Sequence, residues 1–413
     1  MRILNSLLLM VAFVFVISCN VSNQYKEDIY DAENPDFSFL EAVLKGKRIV
    51  ALGESSKGYG DLQLLKGKMV QYLHDELDYD VFIMEAGFGD AKICWENIKY
   101  SDDGLETKDN SLLKNARSDE FNPLFKYIKE KSETDDKLIY SGYDTRISGN
   151  ALKFKLKRIV GKVEIQMIQD SIKSGLQSFS TMLRMRDSLE AFQYHKNNLF
   201  AGIDLATSVL DDNREEIIEK EIASPKELDI VLHALDYIRQ SSDFEFGEAY
   251  TVGLSLRDSL MSQNVIKQIK TEYPEKKIII WGHNGHIEKL AGEGDNIKWM
   301  GHFLAEEFGD DYYAMGIYCK KGDIFAHWKK TNQPFDIKED GFIEKLLFDK
   351  NQSGLFVNLP KYQAGHKEWY HNKINGYEPE AGGKVTFVPS KRFDGVLLLP
   401  ETSAPTFITK SSR

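Results

Sequence analysis

Lys277-Ile278-Ile279-Ile280-Trp281-Gly282-His283-Asn284-Gly285-His286 carries the pattern from which the rest of the chain is read. A short, unbroken apolar run closed by glycine is the signature of a strand covered on both faces. Three earlier stretches have the same form. Arg48-Ile49-Val50-Ala51-Leu52 leads into Gly53-Glu54-Ser55-Ser56-Lys57, and Val81-Phe82-Ile83-Met84 leads into Glu85-Ala86-Gly87-Phe88. Lys137-Leu138-Ile139-Tyr140 leads, past Ser141, into Gly142-Tyr143-Asp144-Thr145-Arg146. Between the first two, Leu62, Leu65, Met69, Leu73 and Leu77 recur at helical spacing. Strands alternating with helices predict an α/β fold, a mostly parallel central sheet flanked by helices.

From about residue 150 to 255 the strand-like runs give way to charged amphipathic segments, as in 167–189 and 226–239, and a helical insertion is expected there. The strand pattern resumes at 312–318, 354–358 and 395–399. One domain is expected over 37–410, with the polar, acidic residues 19–36 as a tether before it.

The chain begins differently. Arg2 is followed by residues 3–17, mostly apolar and wholly so from Leu7, a length that suits a secretory leader better than a membrane span. Val16-Ile17-Ser18-Cys19 looks like a bacterial lipobox. That resemblance implies removal of residues 1–18 and acylation of Cys19, which anchors the protein to a membrane. Asn20 rather than Asp after the cysteine favours the outer membrane, so an exported lipoprotein of the cell envelope is expected. Cys94 and Cys319, the other two cysteines, are expected to be buried thiols.

The 64 acidic against 53 basic residues give a net charge of −11, which argues against nucleic acid as a partner. A small-molecule substrate and the membrane, through the lipid anchor, are the partners expected. Nothing in the sequence fixes an oligomeric state.

In open parallel sheets ligands bind beyond the carboxyl ends of the strands. Glu54, Lys57, Glu85, Asp144, Arg146, His283 and His286 all follow apolar runs, so four strand ends bring titratable groups toward one edge. Each alone would serve equally as a cap or a strand-end ion pair. Histidine is the natural base near neutral pH, and His and carboxylate ligands would also suit zinc or iron.

At these residues the chain resembles the erythromycin esterase family. Ala51-Leu52-Gly53-Glu54 with Phe82-Ile83-Met84-Glu85-Ala86-Gly87-Phe88 looks like the family's opening, and Trp281-Gly282-His283-Asn284-Gly285-His286-Ile287 is similar to its later histidine motif. Arg257-Asp258-Ser259-Leu260, Met300-Gly301-His302-Phe303-Leu304 and Phe393-Asp394-Gly395 follow the family's order, and the likeness extends over about residues 37–405.

The resemblance implies an α/β hydrolase with a helical insertion that opens a macrolactone ester with water, without a covalent intermediate. No cofactor and no metal ion are expected. It places Glu54 and Glu85 at the family's two glutamates and His283 at its later histidine. Two positions depart. Lys57 stands where the family has its water-activating histidine, and Lys66 stands where it has an arginine. Glutamates near Lys57 would keep it charged, so it could stabilise an oxyanion but not take a proton. The base then falls to His283, His286 or a glutamate, with Lys66, Asp144 and Arg146 as substrate-binding candidates. Two other readings stand beside this one: a catalytically silent envelope lipoprotein that binds a ligand, and a metal-assisted hydrolase using Glu54, Glu85 and the histidine pair.

Overall fold

The computed structural model describes residues 26–30, 35–182, 184, 188–242, 250–290, 297–348 and 354–407. The apolar residues 3–17 and Cys19, on which the expected leader and lipid anchor fall, lie outside the described residues.

The strands are β1 (Lys26–Tyr30), β2 (Ile49–Leu52), β3 (Val81–Gly87), β4 (Ile139–Asp144), β5 (Ile278–Trp281), β6 (Tyr312–Ala326), β7 (Thr331–Asp336), β8 (Gly354–Asn358), β9 (Ile374–Glu378), β10 (Gly383–Phe387) and β11 (Gly395–Thr402). Nine form one sheet in the order β1-β8-β11-β6-β2-β5-β3-β4, with β7 added to β6. From β11 to β4 every pairing is parallel. The antiparallel partners β1, β8 and β7 are all on the β6 and β11 side. β9 and β10 form a separate hairpin.

The apolar runs alternate sides as strand geometry requires. Val50, Leu52, Phe82, Met84, Ile279 and Trp281 face one core layer with Leu62, Leu65, Met69 and Leu73 of the helix Gly60–Leu77. Ile49, Ala51, Val81, Ile83, Ile278 and Ile280 face the other, with Met261 and Val265 of the helix Tyr250–Lys267 and Met300 and Leu304 of the helix Met300–Phe308. Both faces are buried, so each run has no polar position, and each buried Val, Leu, Ile, Phe or Met side chain contributes about 1.5–3 kcal/mol.

Helices fill residues 151–267: Ala151–Val163, Gln166–Met182, Leu189–Asp212, Arg214–Glu219, Pro225–Ser242 and Tyr250–Lys267. The first five share a third apolar core. The last returns to the sheet and carries Arg257 and Asp258 toward the strand ends.

Three features differ from the sequence reading. Residues 26–30, within the expected tether, form the edge strand β1 against β8; with Lys26, Glu27 and Asp28 it is the charged kind of edge that apolar periodicity does not register. The run at 312–318 continues to Ala326, because beyond Cys319 it alternates buried and exposed residues while pairing with β7. The run at 137–140 enters its strand only at Ile139 and carries Asp144 as the strand's last residue. Cys94 and Cys319 are free and buried, as expected.

Candidate active site

β2, β5 and β3 are neighbours, so Glu54, His283 and Glu85 leave the sheet side by side. Asn284 locks this edge. Its side chain donates to the Ile317 carbonyl at 3.1 Å and accepts from the Ile317 N–H at 3.0 Å, while its own N–H donates to the Glu54 carbonyl at 2.8 Å. The amide lies where a side chain on residue 53 would be. A Cβ on Gly53 would sit 2.1 Å from Asn284 Oδ1, so the turn requires glycine.

Two carboxylates and two ammoniums then alternate. Glu54, 4 % exposed, accepts from Lys66 Nζ at 2.9 Å and from Trp281 Nε1 at 2.8 Å. Lys66 is fully buried and lies 3.8 Å from the centre of the Trp281 ring. Burial draws its pKa down to about 8 against the pull of Glu54. Glu85 accepts from Lys57 Nζ at 2.6 Å and from the His283 N–H at 3.3 Å. Burial alone would raise Glu85, but the Lys57 and Arg257 cations outweigh it and hold the carboxyl well below its usual range. Burial would likewise depress Lys57, but Glu85 and Glu54 prevail and raise it. Lys57 is therefore a fixed positive charge, with 29 % of its side chain open. Gln63, donating to the Lys57 carbonyl, and Glu380, accepting from the Lys57 N–H, pin its loop.

The two histidines take different places. His283 caps the short helix Asn284–Ile287: its Nδ1 accepts from the Gly285 N–H at 3.1 Å. With Nδ1 an acceptor, the neutral ring carries its proton on Nε2, 3.3 Å from the Ser55 carbonyl, so both nitrogens are engaged. His286 lies one turn on. Its Nδ1 is 2.7 Å from Oδ1 of the fully buried Asp258, which also accepts from the Met300 N–H at 3.0 Å. Asp258 can only accept when ionised, so Nδ1 carries the proton and the Nε2 lone pair is left facing Glu85 at 3.5 Å.

Asp144 does not offer a free carboxylate. It is 6 % exposed and grips Arg257 at 2.6 and 3.3 Å, with the Arg146 N–H at 3.1 Å. Arg146 itself is half-buried beside it. Arg257 in turn stands 3.8 Å from Glu85.

A cavity of about 60 Å³ opens among Glu54, Lys57, Glu85, Phe121, Trp281 and His327, room for a few waters at ~10–15 Å³ each. His327, at the turn between β6 and β7, was not anticipated; it follows no apolar strand end and carries no motif. Both its ring nitrogens are buried and without a hydrogen-bond partner among the described residues. Burial lowers its pKa and keeps it neutral. Among the described residues no three His, Cys, Asp or Glu groups of this cleft bring their ligand atoms together. The positions a cation would take beside Glu54 and Glu85 are held by Lys66 and Lys57.

A parallel sheet with an Asp–His pair, paired glutamates and a fixed cation at its carboxyl edge has the parts of a hydrolytic site. The chain belongs to the erythromycin esterase family, whose model matches residues 74–402. The Glu54 and Lys57 segment lies just ahead of that match. The chain is 28% identical to YbfO of Bacillus subtilis (strain 168), provisionally named a hydrolase, over 93% of this chain and 90% of that one. It is 24% identical to erythromycin esterase type II of Escherichia coli, over 82% and 86%. Its fold matches that of erythromycin esterase EreC, solved as a histidine-to-asparagine mutant in an open conformation, with a TM-score of 0.58 at 17% identity over 93% of this chain and 100% of that one. Family membership supports a hydrolase.

Proposed function

We propose that the protein is a metal-independent ester hydrolase in which His286, oriented by Asp258, activates water. The observation that carries this reading is the 2.7 Å contact between His286 Nδ1 and buried Asp258, which leaves Nε2 as the basic nitrogen, 3.5 Å from Glu85 of the cavity wall. Nε2 takes a proton from water as the water oxygen bonds to the ester carbonyl carbon. The oxyanion that forms is stabilised by the Lys57 ammonium. As the carbon–oxygen ester bond breaks, the imidazolium returns the proton to the leaving alkoxide, so acid and alcohol depart and the enzyme is unchanged. Glu85 holds Lys57 in place, and Lys66 holds Glu54.

The named activity of the Escherichia coli relative points to a macrolactone-like ester as substrate. The cavity of about 60 Å³ is too small for such a molecule, whose bulk rests outside it. The lipobox-like Val16-Ile17-Ser18-Cys19 supports an outer-membrane-anchored lipoprotein as the form in which the enzyme works.

The test is turnover of macrolides and simple chromogenic esters by the chain from Asn20 onward, with and without chelator, beside His286→Ala. Hydrolysis that survives chelator and disappears in the variant is expected. Undiminished hydrolysis in His286→Ala would overturn the assignment, and saturable binding without hydrolysis would make the protein a ligand-binding lipoprotein.

A further inference from the structure

Beyond the cleft, the segment His366-Lys367-Glu368-Trp369-Tyr370-His371 brings together two imidazoles and a carboxylate. One ligand atom from each of His366, Glu368 and His371 lies within 4.8 Å of the other two. We propose that these three residues form a binding site for a divalent transition-metal ion of the zinc class.

The strongest ground is the hydrogen bonding of His371. Its Nδ1 lies 2.8 Å from Ser390 Oγ, and that hydroxyl donates its single proton to the Tyr370 carbonyl at 2.7 Å. Ser390 must therefore accept from the histidine, which fixes the proton on Nδ1. The lone pair is left on Nε2, which is buried and has no partner among the described residues, in a residue only 5 % exposed. A buried acceptor without a donor costs about 1–3 kcal/mol, and a cation coordinated there removes that cost. Metal-ligating histidines characteristically donate their other ring N–H to a neighbouring acceptor, as His371 does to Ser390.

The other two ligands suit the same ion. His366 Nδ1 and Glu368 Oε2 are 3.5 Å apart, close to the ~3.4 Å edge of a tetrahedron built on ~2.1 Å zinc bonds. Both side chains are largely exposed and can turn toward His371. Their backbone is already fixed, since Asn372 Nδ2 donates to the carbonyls of His366 and Glu368 at 3.1 and 2.8 Å. Glu368 meets no lysine or arginine among the described residues. His74, Asp75 and Asp136 form a comparable group, but there the Lys131 ammonium lies 2.7 and 2.8 Å from the two carboxylates and already serves as the cation. A metal at His371 would tie residues 366–371 to the turn of helix Pro389–Arg392 through Ser390.

The experiment is equilibrium dialysis and visible spectroscopy with Zn²⁺ and Co²⁺, using the full chain from Asn20 onward after treatment with chelator. His366→Ala, Glu368→Gln, Ser390→Ala and Asp136→Asn are compared with the parent. One metal per chain and a Co²⁺ ligand-field spectrum are expected. Affinity should fall at least tenfold in His366→Ala and Glu368→Gln, roughly tenfold in Ser390→Ala, and not at all in Asp136→Asn. Added Zn²⁺ should raise the Tm of the parent but not of His366→Ala, both of which keep the buried His371 and fold. Less than about a fifth of the trace ion bound at a roughly 100-fold protein excess, or binding unchanged in both ligand variants, would overturn the site.

Discussion

His283 and His286 are three residues apart and chemically identical, yet their surroundings give them different work. His283 spends Nδ1 on a helix cap, whereas His286 is held by a buried aspartate. His286→Ala is expected to lower kcat/KM by about 10²–10⁴ with the fold intact. His283→Ala should instead cost about 0.5–2 kcal/mol of stability through the lost cap, with a smaller kinetic effect; steady-state kinetics alongside chemical denaturation separate the two. Lys66 supplies a pH test. Burial draws its pKa down to about 8, so above that pH the folded protein releases a proton that the unfolded chain keeps until about 10.4. Stability from this group therefore rises with pH across that window, while the charge beside Glu54 is lost. Activity should decline above about pH 8, and Lys66→Arg, which stays charged, should move that limb upward. A pH–rate profile in which the arginine variant keeps the same limb would remove Lys66 from the explanation.

At the level of elements, the site depends on how closely β2, β5 and β6 are clamped. The Asn284 amide fills the space over Gly53, and a methyl group there would also come 2.8 Å from the Met315 carbonyl. Gly53→Ala is expected to cost about 1–3 kcal/mol by overpacking and to lower turnover by shifting Glu54; a thermal melt paired with kinetics reads both. The strands that hold the site were legible because both their faces are covered, which makes every position apolar. β1, β7, β9 and β10 were not, since edge strands and hairpins with one open face alternate and carry charge. His327 was lost with them: it stands at the end of the half-exposed part of β6, where apolar periodicity has already faded.

Across the whole molecule, buried carboxylates join the separate layers. Glu344, on the helix Ile343–Phe348, accepts from the Tyr377 N–H at 2.8 Å beside the turn of the β9–β10 hairpin. Burial pushes its pKa up to about 8, and its second oxygen has no partner among the described residues. The folded protein thus holds a proton that the unfolded chain releases near pH 4.3. That contribution to stability is full below the unfolded value and is lost as pH rises through about 8. Glu344→Gln keeps an acceptor for Tyr377 and needs no proton, so it should be more stable than the parent at pH 8 by about 1–3 kcal/mol and equal to it near pH 4. Denaturation midpoints at the two pH values check this.

The sequence by itself determined the parallel sheet, because burial on both faces leaves an apolar run that needs no partner to be recognised. It also determined that Glu54, Glu85, Asp144 and the histidines gather at one edge, because parallel strands end on the same side. Tertiary structure alone decided which histidine has a free lone pair, that Lys66 and Lys57 neutralise the two glutamates, and that Arg257, Asp258 and His327 join them. Those outcomes rest on hydrogen bonds between residues as much as 228 positions apart in the chain, and on burial that reverses ordinary proton affinities. Neither is written in the local order of the amino acids.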